Sequence, residues 1–419
     1  MSEKLSTLVN SEIGNLEAVI LHRPGPEVEN MTPENAERAL YSDILNLPVA
    51  LKEYNQLHKI LDNVCKVFFV QDLLEEILDN EKVREQLIFQ ICENENIADL
   101  DDELYSMEPK ELSKKLIEGV VLERNTMTKF MSNERYSLKP LHNFFFTRDA
   151  SITVNKKIVI GKMNGQVRDR ESIIMDYIFT YSPRIDTRTI NPVKYDDFNA
   201  NINIEGGDLL IAREDILLVG MGPRTTSHGI DFLVERFKEK AGKRHIIVQE
   251  LPKTPESFIH LDMVFTLLDR DKCMIYAPVI LCDSRFTTAH ITIDHGKVKS
   301  IVHEENILSA LKKLGMDLKP IFCGGSDPWI QQREQWHSGA NFFSIAPGKI
   351  IGYERNIYTM HELSNNGFEI IKASDFKKDS INLSDDRKIL FTIDGSELAR
   401  GGGGCRCMTM PIRRTDIEI

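Results

Sequence analysis

Apolar and polar positions alternate with different periods along this chain, and the change of period marks its organisation. Leu16 to His22, Leu-Glu-Ala-Val-Ile-Leu-His, is apolar over the length of a strand and runs into Pro24-Gly25-Pro26, which predicts a buried strand closed by a turn. In Asn30-Met31-Thr32-Pro33-Glu34 a threonine precedes a proline at the first helical position, and apolar spacing resumes through Ala39, Leu40 and Ile44, so a helix is expected there. A second helix is expected from about Val49 to Asp62, followed by a strand over Val64–Val70. From Gln71 to about Tyr136 strand signals vanish. Leu, Ile and Val recur at helical spacing among many charges, with caps such as Asp101-Asp102-Glu103 and Pro109-Lys110-Glu111, and predict an insertion of four or five helices.

Beyond Asn143 the period returns to short apolar strands. Residues 158–160, 209–212, 216–219, 245–248, 263–267, 273–277 and 342–345 read as strands set among helices. The class is α/β, built from strand pairs with helices rather than from the strict alternation of a doubly wound sheet. No internal repeat is visible in the residues themselves. Residues 372–395 open on a polar run, 372–380, and predict a surface excursion that ends in a strand over 389–393. No G-x-G-x-x-G or Walker sequence follows a strand, which argues against a dinucleotide or triphosphate site.

Composition narrows the function. A formal net charge of −12 argues against nucleic acid as the main partner, since phosphate binding needs clustered Lys and Arg. Seven cysteines are scattered through apolar strands, unlike a secreted disulfide framework. With no signal-like N-terminus and no run of about 18 apolar residues, the expected setting is the cytoplasm, without membrane association.

The chemistry concentrates in four segments. Near the C-terminus Ser396-Glu397-Leu398-Ala399-Arg400 leads into four glycines, Gly401 to Gly404, then Cys405-Arg406-Cys407-Met408-Thr409-Met410-Pro411. A glycine run lets a loop fold closely over a bound molecule and delivers a thiol at its end. The others are Asn143-Phe144-Phe145-Phe146-Thr147-Arg148-Asp149, Glu205-Gly206-Gly207-Asp208 and His260-Leu261-Asp262. Each alone has a plain structural reading: a core thiol, a strand-end salt bridge, a turn, a satisfied buried histidine. Jointly they fit the replacement of a guanidinium nitrogen by oxygen. That planar cation is a poor electrophile, so carboxylates must grip its N–H fork and a strong nucleophile must attack it. Asp149 and Asp262 are the candidate carboxylates, Cys407 the nucleophile and His260 the proton carrier. Two aspartates would raise the thiol pKa, and a bound guanidinium would reverse that field.

In this order the four segments resemble the arginine deiminase family of guanidine-modifying enzymes. Arg333-Glu334-Gln335-Trp336 and Gly352-Tyr353-Glu354-Arg355-Asn356 extend the similarity, which runs from the region of Glu12 to the C-terminus. The resemblance implies a pseudo-fivefold α/β propeller of ββαβ units with an inserted α-helical domain. Residues 1–70 and 141–419 would form the propeller and 71–140 the insertion. It implies hydrolysis of free L-arginine to L-citrulline and ammonia through an amidino-thioether on Cys407, with Asp149 and Asp262 clamping the substrate and Glu205 orienting His260. Arg168, nineteen residues after Asp149, and Arg224, nineteen after Glu205, match arginines that bind the substrate carboxylate. Asn143 and Phe146 would line the pocket, Leu40 would contact the aliphatic stem, and the Gly401 carbonyl would receive the ammonium. No cofactor or metal is implied, and a homo-oligomer, dimer or tetramer, is.

Two departures stand out. Gly402 occupies the place of an arginine that gates the site in some relatives, and Cys405 is not a general family feature. Cys405-Arg406-Cys407 lacks third and fourth ligands at zinc-like spacing, so no metal is expected, and Arg406 is expected to favour the thiolate. Agmatine, methylated arginine, peptidyl arginine and amidino transfer are alternative chemistries, although agmatine has no carboxylate for Arg168 and Arg224. A protein that only binds arginine would not need Cys407, His260 and Glu205 together.

Overall fold

Five sheets repeat one wiring in the computed structural model, which describes residues 4–33, 43–97, 100–281, 286–376 and 382–418. In each, a strand pairs antiparallel with the next, and the chain then crosses over to a third strand parallel to the second. Ser151–Val154, Lys157–Ile160 and Arg188–Ile190 form one such unit around the helix Asp169–Tyr181. Leu209–Arg213, Ile216–Met221 and Arg244–Glu250 form another around Ser227–Lys238. Phe265–Asp269, Lys272–Ile275 and Lys319–Phe322 follow, then Phe343–Ala346, Lys349–Tyr353 and Lys388–Ile393. The remaining unit joins both ends of the chain: Met410–Arg414 pairs antiparallel with Leu16–Leu21, which pairs parallel with Lys66–Phe69 across the helix Leu47–Val64. The repeat that the residues hide is therefore explicit in the strand pairing.

Local chemistry explains the elements. Middle strands such as Ile216–Met221 and Lys349–Tyr353 are buried along almost their whole length, so they read as continuous apolar runs. Leu47–Val64 starts where the Asn46 side chain accepts from the Val49 N–H, with proline in the first turn. Thr226 caps Ser227–Lys238 by accepting from Gly229 N–H. The expected helix after Thr32 falls mostly outside the described residues, as does Leu40, and Ile44 is not helical. The polar excursion is described only up to residue 376 and from 382, and Phe376 at its near end is buried.

The helical stretch holds Val70–Leu78, Glu81–Glu95, Asp101–Tyr105, Pro109–Glu118 and Met127–Met131. A short ladder, Val120–Val121 against Tyr136–Leu138, lies inside the span read as strand-free. Leu73, Leu87, Ile91 and Leu116 share one core with Ala18, Ile20, Phe68 and Ile158, so their helices pack directly onto the sheet that joins the two ends of the chain and onto the sheet that holds Ile158. Other boundaries moved. The strand expected over 273–277 stops at Ile275, because Pro278 opens the helix Ala277–Ile280. The expectation over 263–267 begins instead with a 3-10 turn, Leu261–Met263. The hairpin Thr288–Asp294 with Lys297–Glu304 was not anticipated: its outer strand is exposed or half-exposed at every position, and its apolar residues Val298, Ile301 and Val302 stand among charged and polar ones without a sustained alternation.

Candidate active site

The glycine run makes a turn that no chain with side chains could follow. Gly402 has φ +83°, and a Cβ on Gly403 would lie 2.4 Å from Phe146 Cε1. The Tyr353 hydroxyl donates to Gly403 O at 2.9 Å, and the Asn341 Oδ1 accepts from the N–H groups of Arg406 (3.0 Å) and Cys407 (3.3 Å). Arg148 N–H donates to Cys407 O at 3.1 Å, which fixes the short helix Thr147–Ala150, and with it Asp149, against the nucleophile turn. His260 precedes the turn Leu261–Met263, whose first N–H is held by Asp208 Oδ1 at 2.9 Å. Gly207 makes room for its ring, since a Cβ there would stand 2.4 Å from His260 Nδ1.

A cavity of about 250 Å³ opens over these residues. Asn143, Phe146, Asp149, Arg168, Arg224, His260, Gly401 and Cys407 line it. Glu205 and Asp262 lie behind that lining, both fully buried. Cys407 Sγ is 3.7 Å from Asp262 Oδ2. His260 Nε2 is hydrogen-bonded to Glu205 Oε2 at 2.9 Å, while Nδ1 stands 3.5 Å from Asp149 Oδ1. Among the buried polar atoms here without a hydrogen-bond partner in the described residues are Asp149 Oδ1, Asp262 Oδ1 and Arg224 Nη1.

Charge explains the protonation states. Burial alone would lower the His260 pKa, but Asp149, the hydrogen bond to Glu205 and nearby Asp208 outweigh it and raise it to about 9, so the ring is imidazolium at neutral pH. Glu205 is pulled the other way, to about 2: burial opposes its charge, and His260, Arg224 and Arg168 together overcome burial. Cys407 is pushed well above the ordinary thiol range by burial, then by Asp262 and Asp149. Arg406 favours the thiolate, as expected, but weakly: its guanidinium is engaged by carboxylates, with Nη1 on Asp262 Oδ2 at 2.8 Å and Nε and Nη2 each 3.1 Å from a Glu12 oxygen, and its pull on Cys407 is smaller than the opposing effect of the two aspartates.

Arg168 lines the cavity and is held by carboxylates of the protein itself. Its Nη1 donates to Asp149 Oδ2 at 2.7 Å, and Nε and Nη2 grip Glu171, Nη2 at 2.7 Å. Every nitrogen is engaged, whereas Arg224 makes only a 3.5 Å ion pair with Glu205. Glu12, Glu171, Asp208 and Asn341 were missed by sequence reasoning; they lie outside the motifs' chemistry-bearing positions, and only Asp208 stood in a quoted segment. Asp149, Glu205 and His260 bring three potential metal-ligating atoms within 4.8 Å of one another. Those groups are already engaged, Glu205 with His260 and Arg224 and Asp149 with Arg168, so cationic partners compensate the cluster.

The family model described as arginine deiminase matches residues 37–414. Curated proteins named arginine deiminase from Bacillus cereus (strain ATCC 10987) and Mycoplasma capricolum are each 34% identical, covering 98% and 100% of this chain and 98% and 99% of their own. Among solved structures, the N-terminal domain of ArgZ, an arginine dihydrolase of cyanobacteria crystallised with substrate, superposes with TM-score 0.52 at 12% identity, over 95% of this chain and 98% of that one. AgrE in complex with L-arginine gives TM-score 0.54 at 12% identity, over 96% of this chain and 40% of that one. With a family model spanning most of its length and full-length relatives at this identity, the chain belongs to the arginine deiminase family of enzymes.

Proposed function

We propose that this enzyme hydrolyses the guanidinium of free L-arginine, giving L-citrulline and ammonia through a covalent adduct on Cys407. The observation that carries the reading is a pair of buried carboxylates, Asp262 with Oδ2 3.7 Å from the Cys407 sulfur and Asp149 with Oδ1 3.5 Å from the His260 ring, whose Oδ1 atoms accept no hydrogen bond from the described residues. A buried carboxylate oxygen without a donor is costly, and a guanidinium N–H fork supplies two donors in charge-assisted bonds of roughly 1.5–3 kcal/mol each. Arg224 Nη1, which makes a 3.5 Å ion pair with Glu205 but no hydrogen bond among the described residues, suits the substrate carboxylate; Arg168 would join it only by leaving Asp149.

Chemistry follows from charge. In the empty site the thiol stays protonated. A seated guanidinium offsets both aspartates, and the thiol proton leaves to solvent. The thiolate attacks the guanidinium carbon. His260 gives its Nδ1 proton to the departing amino group, which leaves as ammonia, and an amidino-thioether remains on Cys407. The neutral imidazole then takes a proton from water as its oxygen adds to the same carbon. Collapse expels the thiolate and frees citrulline. Glu205 holds the ring through Nε2 in both steps.

The same reading takes the five repeated sheets as blades of a pseudo-fivefold propeller, with the site on its axis, and residues 71–140 as an inserted helical domain. It takes the protein as a cytoplasmic homo-oligomer, dimer or tetramer. No described helix is long and apolar enough to cross a membrane. The test is release of citrulline and ammonia from free arginine, with mass spectrometry of the trapped adduct. Cys407→Ser is expected to abolish turnover and Cys405→Ser to leave it within a few-fold. Arginine binding without ammonia release, or an adduct on Cys405, would overturn the assignment.

A further inference from the structure

Cys407 and Asp262 lie on segments far apart in the chain, and one buried side chain ties their backbones together. Asn341, just before the strand Phe343–Ala346, is 2% exposed. Its Oδ1 accepts from Arg406 N–H at 3.0 Å and Cys407 N–H at 3.3 Å, and its Nδ2 donates to Asp262 O at 3.1 Å. Its own N–H is held by Ser338 O at 3.0 Å. The partners fix the orientation of the amide, because two N–H donors face one end and a carbonyl faces the other. A carboxylate could accept from both N–H groups but could not donate to the carbonyl. The glycine run is shaped around this side chain: a Cβ on Gly404 would lie 2.6 Å from Asn341 Oδ1.

We propose that Asn341 is a positioning residue for the nucleophile, clipping the backbone of Cys407 to that of Asp262 so that the sulfur is held in register with the carboxylate 3.7 Å away. The inference rests on Cys407 being the nucleophile. Asn341 itself does not line the cavity, so its loss acts mainly on the chemical step and leaves arginine affinity largely intact. A nucleophile displaced by about 1 Å loses roughly 100-fold in rate.

The test compares Asn341→Ala and the near-isosteric Asn341→Asp with wild type in two assays. Steady-state turnover of arginine is expected to show kcat reduced about 30- to 100-fold in Asn341→Ala with KM within about threefold. The second assay follows iodoacetamide labelling of Cys407 against pH by mass spectrometry and needs no turnover. Asn341→Asp keeps the two acceptor bonds but places a further carboxylate beside the sulfur, so its labelling midpoint is expected to rise by about one pH unit. Should Asn341→Ala not fold, Asn341→Asp decides alone, through a kcat at least tenfold down and the shifted midpoint. A kcat within threefold of wild type, a loss carried wholly by KM, or an unmoved labelling midpoint would overturn the proposal. Absence of arginine turnover in the wild type would instead overturn the functional reading, and the labelling curves would still report on Asn341.

Discussion

Replacing Glu205 by glutamine removes one charge from the centre of the site and almost no volume. The amide carbonyl of the Glu205→Gln variant can still accept from Asn164 N–H, which Glu205 Oε1 does at 3.0 Å, so the fold should tolerate the change. What is lost is the charged hydrogen bond to His260 Nε2, 2.9 Å long and wholly buried, because with the carbonyl on Asn164 the amide NH2 faces the ring and cannot accept from it. A hydrogen bond to a charged partner is worth roughly 1.5–3 kcal/mol, and one pKa unit corresponds to about 1.4 kcal/mol, so the imidazolium should lose about one to two units. From about 9 in the native site, His260 would titrate between about 7 and 8. Because the first step needs the ring protonated, the alkaline limb of the kcat profile should move down by the same amount. An NMR titration of ring-labelled histidine reads the same quantity without turnover. If the limb and the titration both stay near 9, the ion pair does not set the protonation of His260 and the electrostatic account fails. Stability should follow. The raised His260 contributes stability that is complete below its unfolded pKa near 6.5 and lost as pH rises through 9, on the order of 3 kcal/mol. Glu205, lowered to about 2, contributes only above its unfolded value near 4.5 and loses that contribution as pH falls through 2. The pair is therefore fully effective between about 4.5 and 6.5, and the Glu205→Gln variant should flatten both flanks in denaturation measured against pH.

Two further outcomes test the pocket. Arg224→Gln should raise KM for arginine by about 10- to 100-fold, the loss of one charge-assisted carboxylate contact, while changing the weak turnover of agmatine by less than threefold; equal effects on both would remove Arg224 from carboxylate recognition. Gly403→Ala should cut activity at least tenfold, because its methyl would fall 2.4 Å from Phe146 Cε1 and the turn carrying Cys407 would have to shift; full activity would mean the turn adjusts freely.

Much of this molecule could be read along the chain. The short apolar runs that become middle strands are legible because a strand buried on both faces has no polar positions to hide it. The helical stretch after Gln71 was legible from its period, but its sharing of one core with Ala18, Phe68 and Ile158 was not. The site was legible where a glycine run, a histidine and two aspartates stand in short segments whose spacing is itself the signal. It was not legible at Glu12, Glu171 or Asn341. Their neighbours in sequence say nothing of the partners they meet: Glu12 reaches Arg406 across 394 positions, and Asn341 reaches Asp262 across 79.

The residues alone determined the local elements and which side chains could do chemistry, because backbone hydrogen bonding and side-chain period act over a few positions. Tertiary structure alone decided the charge on each of those side chains. Cys407 is a neutral thiol, His260 an imidazolium, Arg406 a partner of Asp262 and Arg168 a partner of Asp149. Each outcome depends on burial and on distances of a few ångströms between remote segments, where electrostatic energy is strongest and sequence spacing carries no information.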